Sequence, residues 1–379
     1  MAKNRLKKND EKVQETVVVN WPSGEPQNVR AQLLKWHQQK GRSHLPWIAT
    51  PDANGVVNDY HIAVSEVMMQ QTTVAVGLKR FPLWMETFPT WQSLAQAPLE
   101  DVMKAWEGLG YYARARSLHK MAQTVVSNHN ARIPQERSLR LDLPGVGPTT
   151  ASALGAFVYG AREPIWDANV NRIWKRWWGD QYPSLSPREQ KKWEWEMAQQ
   201  AMPNTASDIR SWTQAVMDLG ATVCVPKTPN CSQCPWNSSC RSYALGTQNT
   251  NPSTKTPLVR QEMWKNWVWV VHDNTIAVAP PHAQGIWSGL WQLPQFNGVC
   301  PLIENPLHVS GQHKLSHRDV QWSIVKTTKE QMLQSDNGQT VLSQCQWRTP
   351  DQWHQLALPQ PLRKWWDGLS SDERSKWIA

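Results

Sequence analysis

The segment ATVCVPKTPNCSQCPWNSSC, residues 221–240, is the most informative part of this 379-residue chain. It contains four of the six cysteines in the sequence, Cys224, Cys231, Cys234 and Cys240, in the spacing C-x6-C-x2-C-x5-C. Four thiolates at short spacing hold either zinc or a [4Fe–4S] cluster. Zinc sites usually have two C-x2-C arms, whereas here a single short arm has one cysteine on each side. The spacing favours the cluster and leaves a structural zinc site as the alternative.

The composition limits the class of protein. The chain has 40 Lys and Arg residues against 31 Asp and Glu residues, a net charge of +9. This excess favours a polyanionic partner, although a solvated basic surface is the simpler alternative. There is no apolar run of about 18 residues, so we expect no membrane segment, and the charged N-terminus does not fit a signal peptide. We therefore expect a reducing, cytoplasmic compartment.

The first part of the chain has a helical pattern. Residues 1–28 are polar and aperiodic, and we interpret them as a mobile extension. In residues 97–110, Leu99, Val102 and Trp106 recur at helical spacing. Ser186 and Glu189 have the spacing of a capping box at the start of another helix. These patterns predict a helical domain over residues 29–244.

The pattern changes after this domain. Residues 245–257 are rich in Thr, Asn, Pro and Gly, which predicts a linker, placed at 245–262. Residues 263–271 (MWKNWVWVV) are typical of a strand, residues 272–274 of a turn and residues 275–279 of a second strand. The sequence therefore predicts a smaller α+β domain over residues 263–365.

Residues 143–147, LPGVG, form a predicted tight turn before a helix over 149–159. Gly145 and Gly147 would let the backbone approach a partner closely, and N–H groups at a helix start attract anions such as phosphate. Such a turn binds the nucleic-acid backbone and carries no sequence preference. An ordinary helix–turn–helix packing element is the alternative.

Two carboxylates are candidates for acid and electrostatic catalysis. Asp167 lies 20 residues after Gly147, directly before an apolar helix, where a simple helix cap is the alternative. Glu66 lies in VSEVMMQQTTV among apolar neighbours, where burial would raise its pKa and suit it to act as an acid. A surface position on the helix is the alternative for Glu66.

The turn, the later Asp and the cysteine run together resemble the helix-hairpin-helix DNA glycosylases that carry an iron–sulfur cluster. The further segments are similar to the MutY-type adenine DNA glycosylase branch, and they are SEVMMQQTTV (65–74), GLGYYARARSLHK (108–120), LPGVGPTTA (143–151), WDANVNR (166–172), QAVMDLGATVC (214–224), GIWSGLWQLPQF (285–296) and HKLSH (313–317). The resemblance implies an all-α helix-hairpin-helix glycosylase domain with a [4Fe–4S] cluster, followed by an α+β Nudix-like domain. A Nudix hydrolase box is absent from the sequence.

The resemblance also implies roles for individual residues. Glu66 would protonate N7 of a flipped adenine and Asp167 would stabilise the sugar cation, a division of work known from sugar hydrolases. The adenine pocket and the support of the sugar cation would come from Leu45, Trp47, Thr149 and Asn169. DNA contacts would come from Gln71, Thr72, Leu109, Tyr111, Gly145 and Gly147. Ser316 and His317 would recognise 8-oxoguanine, and the four cysteines would hold the cluster.

Three positions depart from the family pattern. Thr149 stands where many members have Ser or Tyr and lyase-type relatives have Lys. Absence of that Lys argues against strand cleavage through a Schiff base. Asn171 replaces a basic residue found in some relatives. Leu315 stands where the family usually has Phe, which predicts weaker stacking beside Ser316.

The resemblance therefore predicts a monofunctional adenine DNA glycosylase of base-excision repair. Its partner would be double-stranded DNA containing adenine opposite 8-oxoguanine or guanine. We expect a monomer in the bacterial cytoplasm, associated with the nucleoid. An endonuclease III-like glycosylase/lyase for damaged pyrimidines and a zinc-stabilised protein that only binds DNA are the alternatives.

Overall fold

The structure is a computed structural model that describes residues 19–21, 26–48, 56–253, 259–295, 307–335 and 337–378. Most of the predicted extension and Cys300 lie outside the described residues. The chain forms two compact units, which we call unit 1 (residues 1–58 and 147–254) and unit 2 (residues 59–146 and 255–379). The helical part of the sequence is thus shared between the two units. The domain limits inferred from composition stay a prediction.

Helices occupy most of residues 26–244. They are α1 (Pro26–Lys40), α2 (Asp59–Met69), α3 (Val74–Thr87), α4 (Trp91–Gln96), α5 (Leu99–Ala105), α6 (Ala113–Asn128), α7 (Arg137–Leu141), α8 (Pro148–Leu154), α9 (Ala168–Trp178), α10 (Pro187–Ala201), α11 (Ala206–Asp218) and α12 (Arg241–Ala244). A π-helical turn follows α8 at Gly155–Tyr159, and another follows α11 at Leu219–Val223.

Local sequence signals explain several helix ends. The capping box predicted before α10 is present, because Ser186 and Glu189 each accept a backbone N–H of the other. The helix predicted near residue 99 is α5, in which Val102 and Met103 are buried, but Leu99 is exposed. The helix predicted over 149–159 begins at Pro148 and passes into the π-helical turn.

Unit 1 has a core rich in tryptophan. Trp174 and Trp177 of α9 pack edge to face, and Trp174 also lies against Trp236. The indole N–H of Trp236 donates to the carbonyl oxygen of Val29 in α1 at 2.8 Å. These contacts join α1, α9 and the segment that carries the cysteines, so the helix that begins after Asp167 is fixed on its buried side.

Unit 2 contains a mixed five-stranded sheet with the strand order β3-β4-β1-β2-β5. The strands are β1 (Gln261–His272), β2 (Thr275–Val278), β3 (His308–Lys314), β4 (Arg318–Thr328) and β5 (Gln346–Arg348). Strands β1 and β4 are parallel, and the other pairs are antiparallel. The predicted hairpin is confirmed, and Asp273 and Asn274 both have positive φ, as in the tight turns typical of hairpins.

Short helices complete unit 2. They are α13 (Lys329–Leu333), α14 (Gly338–Ser343), α15 (Pro350–Gln355), α16 (Gln360–Gly368) and α17 (Ser371–Ile378). Trp269 of β1 stacks on Trp366 of α16 with ring centroids 4.8 Å apart. The helical structure therefore continues beyond residue 365, the limit expected from sequence.

The first half of the predicted linker is bonded to unit 1. The Asn251 side chain donates to the carbonyl oxygen of Lys175 at 2.9 Å and to the Ser242 hydroxyl at 2.8 Å. Arg176 in turn donates to the carbonyl oxygen of Asn251. The polar side chains of this segment therefore form hydrogen bonds to α9. Residues 254–258 lie outside the described part of the chain.

Within the part of the chain that the structure describes, none of the helices combines the length and the apolar character needed to cross a membrane.

Candidate functional site

Asp167 is the N-cap of α9 in unit 1. Its Oδ1 accepts the backbone N–H of Val170 at 2.7 Å, and the residue is exposed. The helix-cap alternative is therefore confirmed as a structural role. An exposed carboxylate at the start of a helix also remains accessible to a substrate, so capping fixes its position and does not exclude chemistry.

Thr149 is hydrogen-bonded to the residue before Asp167, and Asn169 lies two residues after it in α9. The Thr149 hydroxyl donates to the carbonyl oxygen of Trp166 at 2.8 Å, directly before Asp167. The Asn169 Oδ1 accepts from the Arg172 guanidinium at 2.8 Å. Thr149 thus links the start of α8 to the peptide that leads into the α9 cap.

Leu45 and Trp47, predicted for the adenine pocket, are both buried in unit 1. They follow Arg42, which is held by the buried carboxylate of Asp218. The backbone N–H and the guanidinium of Arg42 both donate to Asp218 at 2.8 Å. Asp218 therefore anchors the short segment that carries both predicted pocket residues.

All four clustered cysteines line one cavity of unit 1, together with Arg176, Trp236 and other residues. Burial raises the pKa of the Cys234 thiol to about 12 and also raises the pKa of Cys231 and of Cys240. Thiolates are the form that binds a metal, and a metal ion or cluster bound among them would favour that form against the effect of burial. Among the described residues, no three His, Cys, Asp or Glu side chains are arranged to hold a single metal ion.

Two arginines of α9 form hydrogen bonds to the segment that carries the cysteines. Neither was among the residues predicted from sequence. Arg172 Nε donates to the carbonyl oxygen of Cys224 at 2.8 Å. Arg176 donates to the carbonyl oxygens of Val225 and Pro226 and lies 3.4 Å from the Cys224 sulfur. Both arginines are buried, four residues apart on one helix face. The spacing of these two arginines in NVNRIWKRWW (residues 169–178) is the sequence feature that could have predicted their shared role.

Glu66 lies in unit 2 near the C-terminal end of α2. The helix is largely buried, with Ser65, Val67 and Met68 enclosed, while Glu66 itself is half-buried. Glu66 is therefore neither enclosed like its neighbours nor fully exposed, and its role stays a prediction. A half-buried carboxyl group keeps access to a substrate while losing part of its water shell.

The loops predicted to contact the duplex have unusual backbones in unit 2. Gln71 and Tyr111 have positive φ values of 57° and 47°, which side chains other than glycine rarely adopt. Gln71 is exposed and Tyr111 is 45% exposed, whereas Leu109 is buried and Thr72 half-buried. Two exposed side chains on strained loops suit insertion into a partner.

The predicted glycine turn is present between α7 and α8. Gly145 has a φ of 79°, and a Cβ at this position would lie 2.6 Å from the Ser117 Cβ. Gly147 is exposed at the N-cap of α8, with open space around it. The turn therefore requires glycine at 145, while glycine at 147 leaves room for a close partner.

Ser316 and His317 form the turn between β3 and β4 and are exposed. The Ser316 hydroxyl lies 3.2 Å from His317 Nδ1. Both line a cleft of about 700 Å³ in unit 2, together with Leu109 and Tyr111. The fold thus brings together two segments that lie about 200 residues apart in sequence.

The cleft includes residues to which the sequence analysis gave no role. Met263, Trp287 and His313 are among its lining residues. Burial, followed by the positive charge of Lys364, lowers the pKa of His313. His313 lies three residues before Ser316 in the same HKLSH segment. This position is the sequence feature that could have predicted its place in the cleft.

The predicted site residues divide between the units. Unit 1 contains Leu45, Trp47, Gly147, Thr149, Asp167, Asn169 and the four cysteines. Unit 2 contains Glu66, Gln71, Thr72, Leu109, Tyr111, Gly145, Ser316 and His317. Within unit 2, Leu109, Tyr111, Ser316 and His317 line one cleft, whereas Gln71 and Thr72 are not among its lining residues. Within unit 1 the cysteine cavity borders the helix that Asp167 caps.

Comparison with known proteins gives consistent results. The family described as "HhH-GPD superfamily base excision DNA repair protein" matches residues 64–196. The chain is 29% identical over 343 residues to the adenine DNA glycosylase of Buchnera aphidicola subsp. Schizaphis graminum, covering 88% of this chain and 96% of the relative. The corresponding protein of Buchnera aphidicola subsp. Acyrthosiphon pisum is 31% identical over 266 residues, covering 70% and 73%.

A solved structure supports the helical fold. The structure of a thermostable thymine-DNA glycosylase aligns with a TM-score of 0.51 and 25% identity, covering 58% of this chain and 97% of that one. The mixed sheet of unit 2 adds a C-terminal region to this helical architecture. Since the Acyrthosiphon pisum relative exceeds 30% identity over most of its own length, the chain belongs to the adenine DNA glycosylase family.

Proposed function

We propose that this protein removes adenine from duplex DNA where adenine is paired with 8-oxoguanine or, more slowly, with guanine. The observation that carries the proposal is the cleft of unit 2, which is lined both by Leu109 and Tyr111 and by Ser316 and His317. Leu109 and Tyr111 are expected to contact the duplex, and Ser316 and His317 to recognise 8-oxoguanine. Membership of the adenine DNA glycosylase family supports adenine as the base that is removed. The cleft supports 8-oxoguanine or guanine as the base opposite it.

The chemistry assigned to the carboxylates is hydrolysis of the N-glycosidic bond. The target adenine leaves the base stack, and Glu66 donates a proton to its N7, which weakens the bond between C1′ and N9. Adenine departs with the electrons of that bond. Asp167 stabilises the positive sugar while water adds at C1′ and loses a proton, which leaves an abasic site.

We further propose that the enzyme does not cleave the strand. A lyase step needs an amine that forms a Schiff base with the sugar. Thr149 occupies the position of the lyase lysine, and its hydroxyl proton is donated to the Trp166 carbonyl oxygen. An endonuclease III-like reaction on damaged pyrimidines is not favoured, because that lysine is absent.

Cys224, Cys231, Cys234 and Cys240 are proposed to hold a [4Fe–4S] cluster. The four cysteines line one cavity, and their spacing, with a single C-x2-C arm flanked by one cysteine on each side, supports a cluster over a zinc ion. When bound, the cluster would supply structural order to residues 224–240. Arg172 and Arg176 would then connect that order to α9.

The sheet-containing part of unit 2 is proposed to be a Nudix-like recognition module. 8-Oxoguanine differs from guanine by an added carbonyl oxygen and an N7–H, both of which polar side chains recognise. The Ser316 hydroxyl and the His317 imidazole lie exposed at the cleft, next to each other. Leu315 offers less stacking surface than the usual Phe, so polar contacts carry more of the discrimination here.

The deciding experiment measures base release under single-turnover conditions. Duplexes carry adenine opposite 8-oxoguanine, adenine opposite guanine, or thymine glycol. We expect wild-type protein to act on the first fastest, on the second more slowly and on the third not at all. Preferred release of thymine glycol would instead support the endonuclease III-like alternative.

Glu66→Gln tests the acid directly. The amide keeps the shape of the side chain but cannot donate the proton, so excision should stop while duplex binding stays close to wild type. Glu86→Gln, an exposed glutamate of α3, is the matched control and should leave excision unchanged. Excision by Glu66→Gln within tenfold of wild type would contradict the assignment.

A further inference from the structure

Arg114 lies in the first turn of α6, within GLGYYARARSLHK, and is only 8% exposed. In a basic chain that binds DNA, an arginine in such a segment would ordinarily be assigned to a phosphate. We propose instead that Arg114 is a positioning residue that fixes the helix carrying Glu66 to both loops that contact the duplex. The inference rests on the proposed function and extends it to a residue that touches neither substrate nor reacting atoms.

One nitrogen of the guanidinium binds the end of the catalytic helix. Nη1 donates to the carbonyl oxygens of Val67 at 3.1 Å, Met68 at 2.9 Å and Gln70. Carbonyl groups at a helix C-terminus have no partner within the helix. Arg114 therefore provides hydrogen bonds to the free carbonyl groups at the C-terminal end of α2, within one turn of Glu66.

The other nitrogen binds both predicted duplex-contacting loops. Nη2 donates to Thr72 Oγ1 at 3.1 Å, to the carbonyl oxygen of Leu109 at 2.8 Å and to that of Gly110 at 3.1 Å. The planar guanidinium has donors at fixed angles, so it sets both loops relative to α2. The group also lies 5.2 Å from the centre of the Trp106 ring.

The loops need such a partner because their backbones are strained. Gln71 and Tyr111 hold left-handed conformations, which persist only where the surroundings favour them strongly. The guanidinium lies 5.6 Å from the centre of the Tyr111 ring as well. Its donors are directed at five carbonyl oxygens and one hydroxyl of the protein. Arg114 thus serves the protein and leaves phosphate binding to other residues.

Arg114→Lys is the main test. Lysine keeps the positive charge but has a single ammonium group that cannot reach α2 and both loops together. We expect the single-turnover rate constant for adenine opposite 8-oxoguanine to fall about 100-fold, as expected for a small misplacement of reacting groups. In Arg114→Gln, which removes the charge, the slope of the logarithm of the binding constant against the logarithm of the salt concentration should still match wild type, because no phosphate contact is lost.

Arg132→Lys is the matched control, since Arg132 is an exposed arginine of the same unit. Its rate constant should equal that of wild type. A rate constant for Arg114→Lys within threefold of wild type would overturn the proposal. So would a salt slope for Arg114→Gln reduced by about 0.9, the value for one phosphate contact. Failure of the proposed function is distinguishable, because wild-type protein itself would then release no adenine.

Thr72→Val and Thr72→Ser provide a second test if the lysine variant unfolds below the assay temperature. Valine removes one acceptor of Arg114, whereas serine retains the hydroxyl. We expect the valine variant to lose at least fivefold in rate constant relative to the serine variant at equal thermal stability. Equal rate constants for the two variants would overturn the proposal.

Discussion

Asp218→Asn tests how the predicted adenine-pocket segment is anchored. The Asp218 side chain is 1% exposed and the Arg42 side chain 18% exposed, with 2.8 Å between Arg42 Nη2 and Asp218 Oδ1. Gln214 donates to the same carboxylate at 2.8 Å. The amide keeps the shape but removes the charge, and its NH₂ group faces these donors. Removing one partner of a buried ion pair costs about 3–5 kcal/mol, and the partial exposure of Arg42 places the expected loss near 3 kcal/mol.

The effect should depend on pH in a defined direction. Burial alone would raise the pKa of Asp218, but hydrogen bonds from His37 and Arg42 outweigh it, so the net pKa is lowered. A lowered pKa means that the carboxylate stabilises the fold above the ordinary aspartate value of about 4 and loses this contribution as the pH falls through the folded value. The difference between wild type and variant should therefore be complete at pH 7 and shrink below about pH 4.

Urea unfolding followed by tryptophan fluorescence measures the change, and unit 1 offers a matched control. Arg241 and Asp180 also approach to 2.8 Å, but their side chains are 42% and 53% exposed. Asp180→Asn should leave the unfolding midpoint close to wild type, because exposed ion pairs contribute little. Equal midpoints for the two variants, or a loss for Asp218→Asn that does not change with pH, would refute the reasoning.

Three further predictions concern the cysteine cavity, the absence of a lyase step and the unit 2 cleft. Cys231→Ser should yield colourless, iron-poor and less stable protein, checked by iron analysis and absorption spectra; full zinc occupancy of wild-type protein would contradict it. Because Thr149 replaces the lyase lysine, strand breaks should need added alkali or heat, and borohydride should trap no enzyme–DNA adduct on a denaturing gel. Ser316→Ala combined with His317→Ala should slow excision opposite 8-oxoguanine more than opposite guanine. Polar base contacts provide about 1–3 kcal/mol, so the preference should fall by roughly one to two decades, and equal losses on both substrates would argue against base recognition.

The sequence by itself determined the features that depend on neighbours a few residues away. Ser186 and Glu189 form their capping box three residues apart, and the β1–β2 hairpin follows from two runs of β-branched and aromatic residues on either side of a short polar turn. Gly145 was expected in a tight turn and has a left-handed backbone there. Such features can be predicted from sequence because the interactions that form them are between residues close together in the chain.

Composition predicted local structure less well where a polar residue is hydrogen-bonded to a residue distant in sequence. The segment around Asn251 reads as a linker, yet it is hydrogen-bonded to α9, 76 residues earlier at Lys175. Asp167 shows the reverse case. Its position before an apolar helix predicted the cap, whereas a catalytic role came only from the family resemblance and stays a proposal.

Only the tertiary structure decided how distant groups meet within each unit. Arg42 and Asp218 are 176 residues apart, and no local pattern pairs them. Arg114 belongs to a recognisable motif, but its contacts with α2 and both loops appear only after folding. Leu109 and Ser316 come to one cleft because α5, α6 and the sheet are packed into a single unit. Long-range contacts of this kind depend on the whole packing arrangement, since each buried donor must find its acceptor wherever the fold provides one.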